Sequence, residues 1–379
     1  MHRGVQDFIS WIAQNPDPGA SVGRGLAAAA PATAVELAAV EERIASPLPA
    51  DLRFVLSRYN GGEVPSGQLL SAGDGAPESI LSVANELSKR MSKSLRDPEL
   101  LLPFYRSDDG GILAFDRSGG PVADTWPIID YYLESGEQRL VHRTFDGFCR
   151  LRVAEWSSPD FGGEFSLESY LNSGKRHVSI ESDVSIAHAT VAHALRRAGQ
   201  PELALQAYLE AARCLPAQAW CDWEALKLAA LLGDGRAAWE SSVRLAARAT
   251  KIRWRQRETT PALVADTLAV IAPRLSARAE RVLRLYDQLQ RQADSERERQ
   301  HIAGIRRALM NQAPPPLPLG ARTPSIAPLA DTASWITALA EGYRRGKLRD
   351  EDLLFAPSYA ALRAKYALAQ VLRVSRTFA

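Results

Sequence analysis

The stretch "LLLPFYRSDDGGILAFDRSGGPVADTWPIIDYYL", Leu100 to Leu133, reads as two or three β-strands cut by Asp-Gly and Gly-Gly turns. Within it Ile112, Ala114 and Asp116 fall on one face of a strand, and Leu113 and Phe115 on the other. The spacing predicts a hairpin or meander. On either side of it the period changes. Upstream, Thr33 and Glu36 have capping-box spacing ahead of the stripe Leu37, Val40 and Ile44. Pro49 then suits the first position of a second helix and Asp51 its first turn; Leu52, Val55, Leu56 and Tyr59 form the stripe, and Asn60-Gly61-Gly62 ends it. "GQLLSA" predicts a strand, "PESILSVANELSKRM" a helix, and "TFDGFCRLRVAEW" a helix that closes the unit. With a short helix expected over Val5 to Ala13, the pattern is α+β, with helices on one side of a mainly antiparallel sheet.

Beyond the stretch "SSPDFGGEFSLESYLNSGKRH" the composition turns to Ala, Leu, Arg and Glu, and no strand is expected before Gln312. This second domain is expected to be all-helical, and it repeats. Gly199 and Gly233 stand 34 residues apart, as do Ala204 and Ala238. Ala192, Gly199, Ala204, Tyr208, Ala211 and Pro216 fit one copy of a pattern that resembles tetratricopeptide repeats, whereas Ser242 and Leu245 replace the Tyr and Ala of the second copy. "APPPLPLGARTPSIAPLA", Ala313 to Ala330, predicts an extended linker or a strap laid over the helices. The expected organisation is an N-terminal helix and connection over 1–30, the α+β domain over 31–156, a linker over 157–184, helical repeats over 185–312, the Pro-rich linker over 313–330 and C-terminal helices over 331–379. The α+β domain is expected to fold without the repeats, because it has its own apolar faces.

At 379 residues, 46% apolar and 24% charged, the chain has the composition of a globular protein of two domains or more. Cys149, Cys214 and Cys221 are too few and too scattered for a disulfide framework, which points to a reducing compartment. "FISWIA" is apolar for only six residues behind Asp7, so neither a signal peptide nor a membrane span is expected, and the reading is cytoplasmic. The net charge of +2 hides an asymmetry. From Pro31 to Val153 there are 18 Asp and Glu against 13 Lys and Arg; after Val153 the balance is 24 against 31. An acidic first domain argues against nucleic acid as its partner and for a basic protein.

Chemistry is sparse. The histidines are His2, His142, His177, His188, His193 and His301; only His188 and His193 stand close, at i and i+5, on different helix faces, so no metal site is expected. "SDDGG", Ser107 to Gly111, reads as a strand turn without the further carboxylates of a calcium loop. "RSGGP" and "YNGG" lack the Lys and Ser/Thr of a phosphate loop. "ATKIRWRQR" carries four basic residues around Trp254 and is the one stretch with the make-up of an acid- or nucleic-acid-binding patch. No acid pair, activated Cys or cofactor motif emerges, so neither catalysis, a cofactor nor a small-molecule ligand is expected.

The order "VELAAVEERIASPLPADLRFVLSRYNGG", "LLPFYRSDDGGILAFD", "GPVAD" and "RTFDGFCRL" resembles the SUKH superfamily, the fold of fungal Smi/Knr cell-wall regulators and of many bacterial immunity proteins. The matching residues are Glu41, Ile44, Leu48-Pro49, Asp51, Asn60-Gly61-Gly62, Pro103-Phe104, Leu113-Ala114-Phe115-Asp116, Pro121-Val122, Phe145 and Phe148, over about a third of the chain; Arg53 and Phe54 stand where the family often has an aromatic residue after its "LP". The resemblance implies a non-catalytic domain that presents a surface to a protein. Two functions follow from it: an immunity protein that neutralises a toxin effector, a nuclease or another basic enzyme, and a regulatory scaffold whose two domains bind different proteins. The partner surface is expected around Asp108, Asp109, Asp116, Asp124 and Trp126, the segment that mixes carboxylates with aromatics.

Overall fold

The turn inside the opening stretch is built as its residues require. Asp109 Oδ1 accepts from Ser107 Oγ at 2.5 Å and from the Gly111 N–H at 3.2 Å, which folds the chain back between β3 (Leu101–Ser107) and β4 (Gly111–Asp116). In the computed structural model, residues 2–15, 30–73, 78–90, 97–119, 126–132, 138–164, 166–214, 219–247, 259–321, 323, 326–365 and 367–376 are described. They divide into two units, Met1–Ala187 and His188–Ala379.

In the first unit β3 and β4 are the centre of a six-stranded antiparallel sheet with β1 (Gly62–Val64), β2 (Gly67–Leu69), β5 (Ile128–Tyr132) and β6 (Gln138–His142), in sequence order throughout. Every strand pairs with its neighbour in sequence, so the sheet is a meander. The helices also start where expected. α2 (Ala34–Ile44) opens with both halves of the Thr33–Glu36 capping box, and α3 (Ala50–Leu56) follows Pro49, which stands one place earlier than its expected first helical position. α5 (Phe145–Trp156) is capped by Thr144, whose Oγ1 accepts from the Gly147 N–H at 3.0 Å.

The sheet differs from expectation in having helices on both faces. All six residues of β4 are buried. Leu113 and Phe115 face α5: Phe104 meets Phe115, Phe145 and Phe148 with ring centroids 4.8, 5.3 and 5.2 Å apart. Ile112 pairs with Arg106 on the opposite face, where Arg106 reaches Glu78 at 2.9 Å and Glu86 at 2.8 Å; Glu86 lies on α4 (Ile80–Arg90). A central strand covered on both sides loses the polar–apolar alternation that marks a one-sided sheet.

α1 (Arg3–Gln14) forms as read but is no appendage. Val5, Phe8 and Ile12 are fully buried against α5; Phe8 packs 6.1 Å from Phe148 and 5.4 Å from Trp156, and Trp11 lies 4.8 Å from Trp156. Residues 157–184, expected as a linker, contain α6 (Leu167–Ile180), which is capped by Ser166 and packs on α5. The first unit therefore extends beyond 31–156 at both ends.

The second unit is helical, consistent with a helical repeat region. It contains most of α7 (Ser185–Arg197), then α8 (Pro201–Arg213), α9 (Ala219–Leu232) and α10 (Gly235–Ala247). Gly199 and Gly233, the 34-residue pair, occupy the turns after α7 and α9 with φ of 74° and 76°, a region that favours glycine. Ala192, Ala204, Tyr208 and Ala211 of the first copy and Ala238, Ser242 and Leu245 of the second are buried. Pro216 and the basic stretch around Trp254 lie outside the described residues. α11 (Pro261–Ile271), α12 (Ala279–Gln292), α13 (Glu296–Met310), α14 (Thr332–Arg344), α15 (Asp350–Phe355) and α16 (Ala360–Ala364) complete the unit. The Pro-rich segment is held against it: the Leu319 N–H donates to Asp266 Oδ2 at 3.1 Å and Tyr359 OH donates to the Ile326 carbonyl at 2.9 Å. Among the described residues no helix is long and apolar enough to cross a membrane.

Candidate functional site

The five residues singled out in the sequence do not form one patch. Asp108 and Asp109 are exposed at the β3–β4 turn. Asp116 ends β4 at the other extremity, five strand steps or about 17 Å away. It is buried and accepts from the Ser118 N–H at 3.0 Å. Trp126 is also buried, at 3% exposure, under the Arg117 guanidinium 5.4 Å from its ring. Both belong to the frame of the domain, because the strand end and the approach to β5 pack inward. Asp124 lies outside the described residues.

What joins Asp109 is a residue the sequence reading passed over, Asp130 on β5. Three oxygens converge on Gly111. A Cβ there would lie 2.5 Å from Asp130 Oδ1, 2.8 Å from Ser107 Oγ and 3.3 Å from Asp109 Oδ1, so only glycine leaves room for them. Asp130 is 92% buried, at 8% exposure, and its Oδ1 has no hydrogen-bond partner. Burial pushes its carboxyl up to about 6, and the charge of Asp109 adds to the push, against the opposing pull of Tyr132, Arg139 and Arg152. Tyr132 OH donates to Asp109 Oδ2 at 3.4 Å. The result is a carboxylate pair at one end of the sheet, with one member exposed and the other desolvated and incompletely satisfied. Such a group favours a cation that can reach it. Alternation along "PIIDYY" was the available signal, since a lone carboxylate inside a run of buried β-residues is out of pattern.

A concavity of about 200 Å³ is lined by His2, Asp51, Phe145, Asp146 and Trp126. Its carboxylates are already engaged. Asp51 Oδ2 pairs with His2 Nδ1 at 2.5 Å, which raises the imidazole's pKa, and Asp146 Oδ1 accepts from the Gly4 N–H at 2.7 Å. These contacts anchor the start of α1.

Among the described residues one group has the composition of a metal site: His142 at the end of β6, with His177 and Glu181 at the end of α6, their candidate donor atoms all within 4.8 Å of one another. His142 Nδ1 lies 2.6 Å from Glu181 Oε2, and His177 Nε2 is 3.6 Å from the same oxygen. Glu181 Oε1 accepts from the N–H groups of Arg143 at 2.8 Å and Thr144 at 3.4 Å, at the start of α5. Histidine spacing alone does not reveal this group, because His142 and His177 stand 35 residues apart. Its signal was His177 and Glu181 at i and i+4, one face of a helix end.

No curated protein matches the chain. Residues 31–150, from the approach to α2 through the first half of α5, match the model of the SMI1 / KNR4 family (SUKH-1).

Proposed function

We propose that this chain is a cytosolic immunity protein that binds a basic toxin effector, a nuclease or another basic enzyme, through the acidic end of its sheet. Residues 31–150 carry the match to a family whose domain is consistent with an immunity or scaffold role, and such domains are typically not enzymes. The observation that carries the contact is the convergence of Asp109 and Asp130 around Gly111, where a partner's ammonium or guanidinium group would supply the pairing that Asp130 Oδ1 lacks. Asp108 would flank that contact as an exposed rim charge. The excess of 18 acidic over 13 basic residues between Pro31 and Val153 suits the same partner.

The test is co-purification with the effector encoded beside this gene, then titration of Asp109→Asn and Asp130→Asn variants. A one-to-one complex is expected, weakened on the order of tenfold or more by Asp130→Asn, because a buried hydrogen-bonded ion pair is lost. Undiminished binding by both variants would move the contact elsewhere. The scaffold reading rests on the second unit. Its helices and the excess of 29 basic over 18 acidic residues from His188 to Ala379 would suit an acidic protein, and it predicts several weaker partners that survive both substitutions.

A further inference from the structure

We propose that His142, His177 and Glu181 bind a divalent transition-metal ion, zinc by the chemistry of the donors. Two imidazoles and one carboxylate are a donor set zinc accepts, with a fourth position left to water. Tetrahedral bonds of about 2.1 Å place ligand atoms about 3.4 Å apart. The separations here are 2.6 Å for His142 to Glu181 and 3.6 Å for Glu181 to His177, with all three atoms within 4.8 Å, so side-chain shifts of about an ångström would complete the geometry.

Three further observations favour a built site over a chance meeting. His177 Nε2 is buried, aimed at the cluster and without a hydrogen-bond partner. Glu181 is held from behind, its other oxygen fixed by two backbone N–H groups, as supporting groups fix metal ligands. The cradle behind it requires Gly147, since a Cβ there would lie 2.2 Å from Glu181 Oε1. On metal binding His142 Nδ1 gives up its bond to Glu181, and the neutral ring carries its single proton on Nε2. The ion would tie the end of α6 to β6 and to the start of α5.

The experiment needs no partner, so it stands apart from the function proposed above. Full-length protein is stripped with a chelator and titrated with zinc alone against a chromophoric competitor, and with cobalt(II) for its visible ligand-field bands. One zinc per chain is expected, with tetrahedral cobalt absorption. Affinity should fall about 100-fold or more in both His177→Ala and His177→Gln and stay unchanged in His188→Ala. The circular dichroism of the metal-free His177 variants should overlay that of the metal-free parent, which separates a lost ligand from a lost fold. Less than stoichiometric zinc in the parent, or zinc binding undiminished in either His177 variant, overturns the site.

Discussion

Replacing Phe8 by alanine tests whether α1 is part of the domain it precedes. The ring is fully buried between Phe148 and Trp156. Truncation removes about 100 Å² of apolar surface, or about 2.5 kcal/mol at about 25 cal/mol/Å². The void adds about 2 kcal/mol if some 80 Å³ stays open. A loss of about 4.5 kcal/mol is a large part of a typical domain's stability and corresponds to a change on the order of a thousandfold or more in the unfolding equilibrium. Hydrogen exchange with peptide resolution reads this in the full-length chain. Amides of β3, β4 and α5 that exchange through opening of the first unit should do so about a thousand times faster in Phe8→Ala, while those of α12 and α13 keep their rates. Acceleration of less than tenfold in α5 and the central strands would refute the reasoning. The same packing leads to a prediction opposite to the expectation that the α+β domain over 31–156 folds without the repeats. A fragment from Ala32 to Ser158 leaves the Phe148 and Trp156 surfaces in water and should melt without a sharp transition.

Asp130→Asn should stabilise the first unit at pH 7–8 by up to about 3 kcal/mol, since the native carboxyl titrates near 6 instead of 3.8. The sign follows from the raised value: the charge destabilises the fold above pH 6, and the penalty fades as pH falls towards 3.8. Urea midpoints of parent and variant should therefore converge near pH 4, and a constant gap across that range would refute the linkage. Gly147→Ala should cost on the order of 2 kcal/mol or more in the parent and markedly less in a Glu181→Ala background, because its Cβ collides with that carboxylate; equal costs in a double-mutant cycle would contradict the contact. Asp266→Ala removes acceptors for both His301, 2.7 Å away, and the Leu319 N–H, so limited proteolysis within residues 313–321 should accelerate. Unchanged cleavage there would show that the strap is held by other contacts.

The meander and the flanking helices were legible because their signals are local. The Thr33–Glu36 box, the Asp109–Gly111 turn and the helix-ending turns at Gly199 and Gly233 each state their geometry within a few residues. What stayed hidden depends on contacts across long separations. Phe8 and Trp156 are apolar in any reading, but nothing local says that they stack. Trp126 and Asp116 looked like a hot spot because aromatics beside carboxylates describe a binding rim and a strand end equally well, and only burial distinguishes them. Asp130 and the His142–His177–Glu181 group were missed for the same reason, since their meaning comes from neighbours 19 to 39 residues away in sequence.

The α1–α5 packing also orders events during synthesis. A ribosome adding 5–20 residues per second makes Phe8 roughly 7 to 30 seconds before Phe148 emerges. Through that interval Val5, Phe8, Trp11 and Ile12 form an apolar stripe with no native surface to cover it. The meander can zip strand by strand as it appears, because each closure is short. α1 must wait. Until α5 is made the nascent chain carries this adhesive face uncovered, and a holdase that shields such stripes should raise its yield, more so than for a variant in which Phe8 and Trp11 are polar.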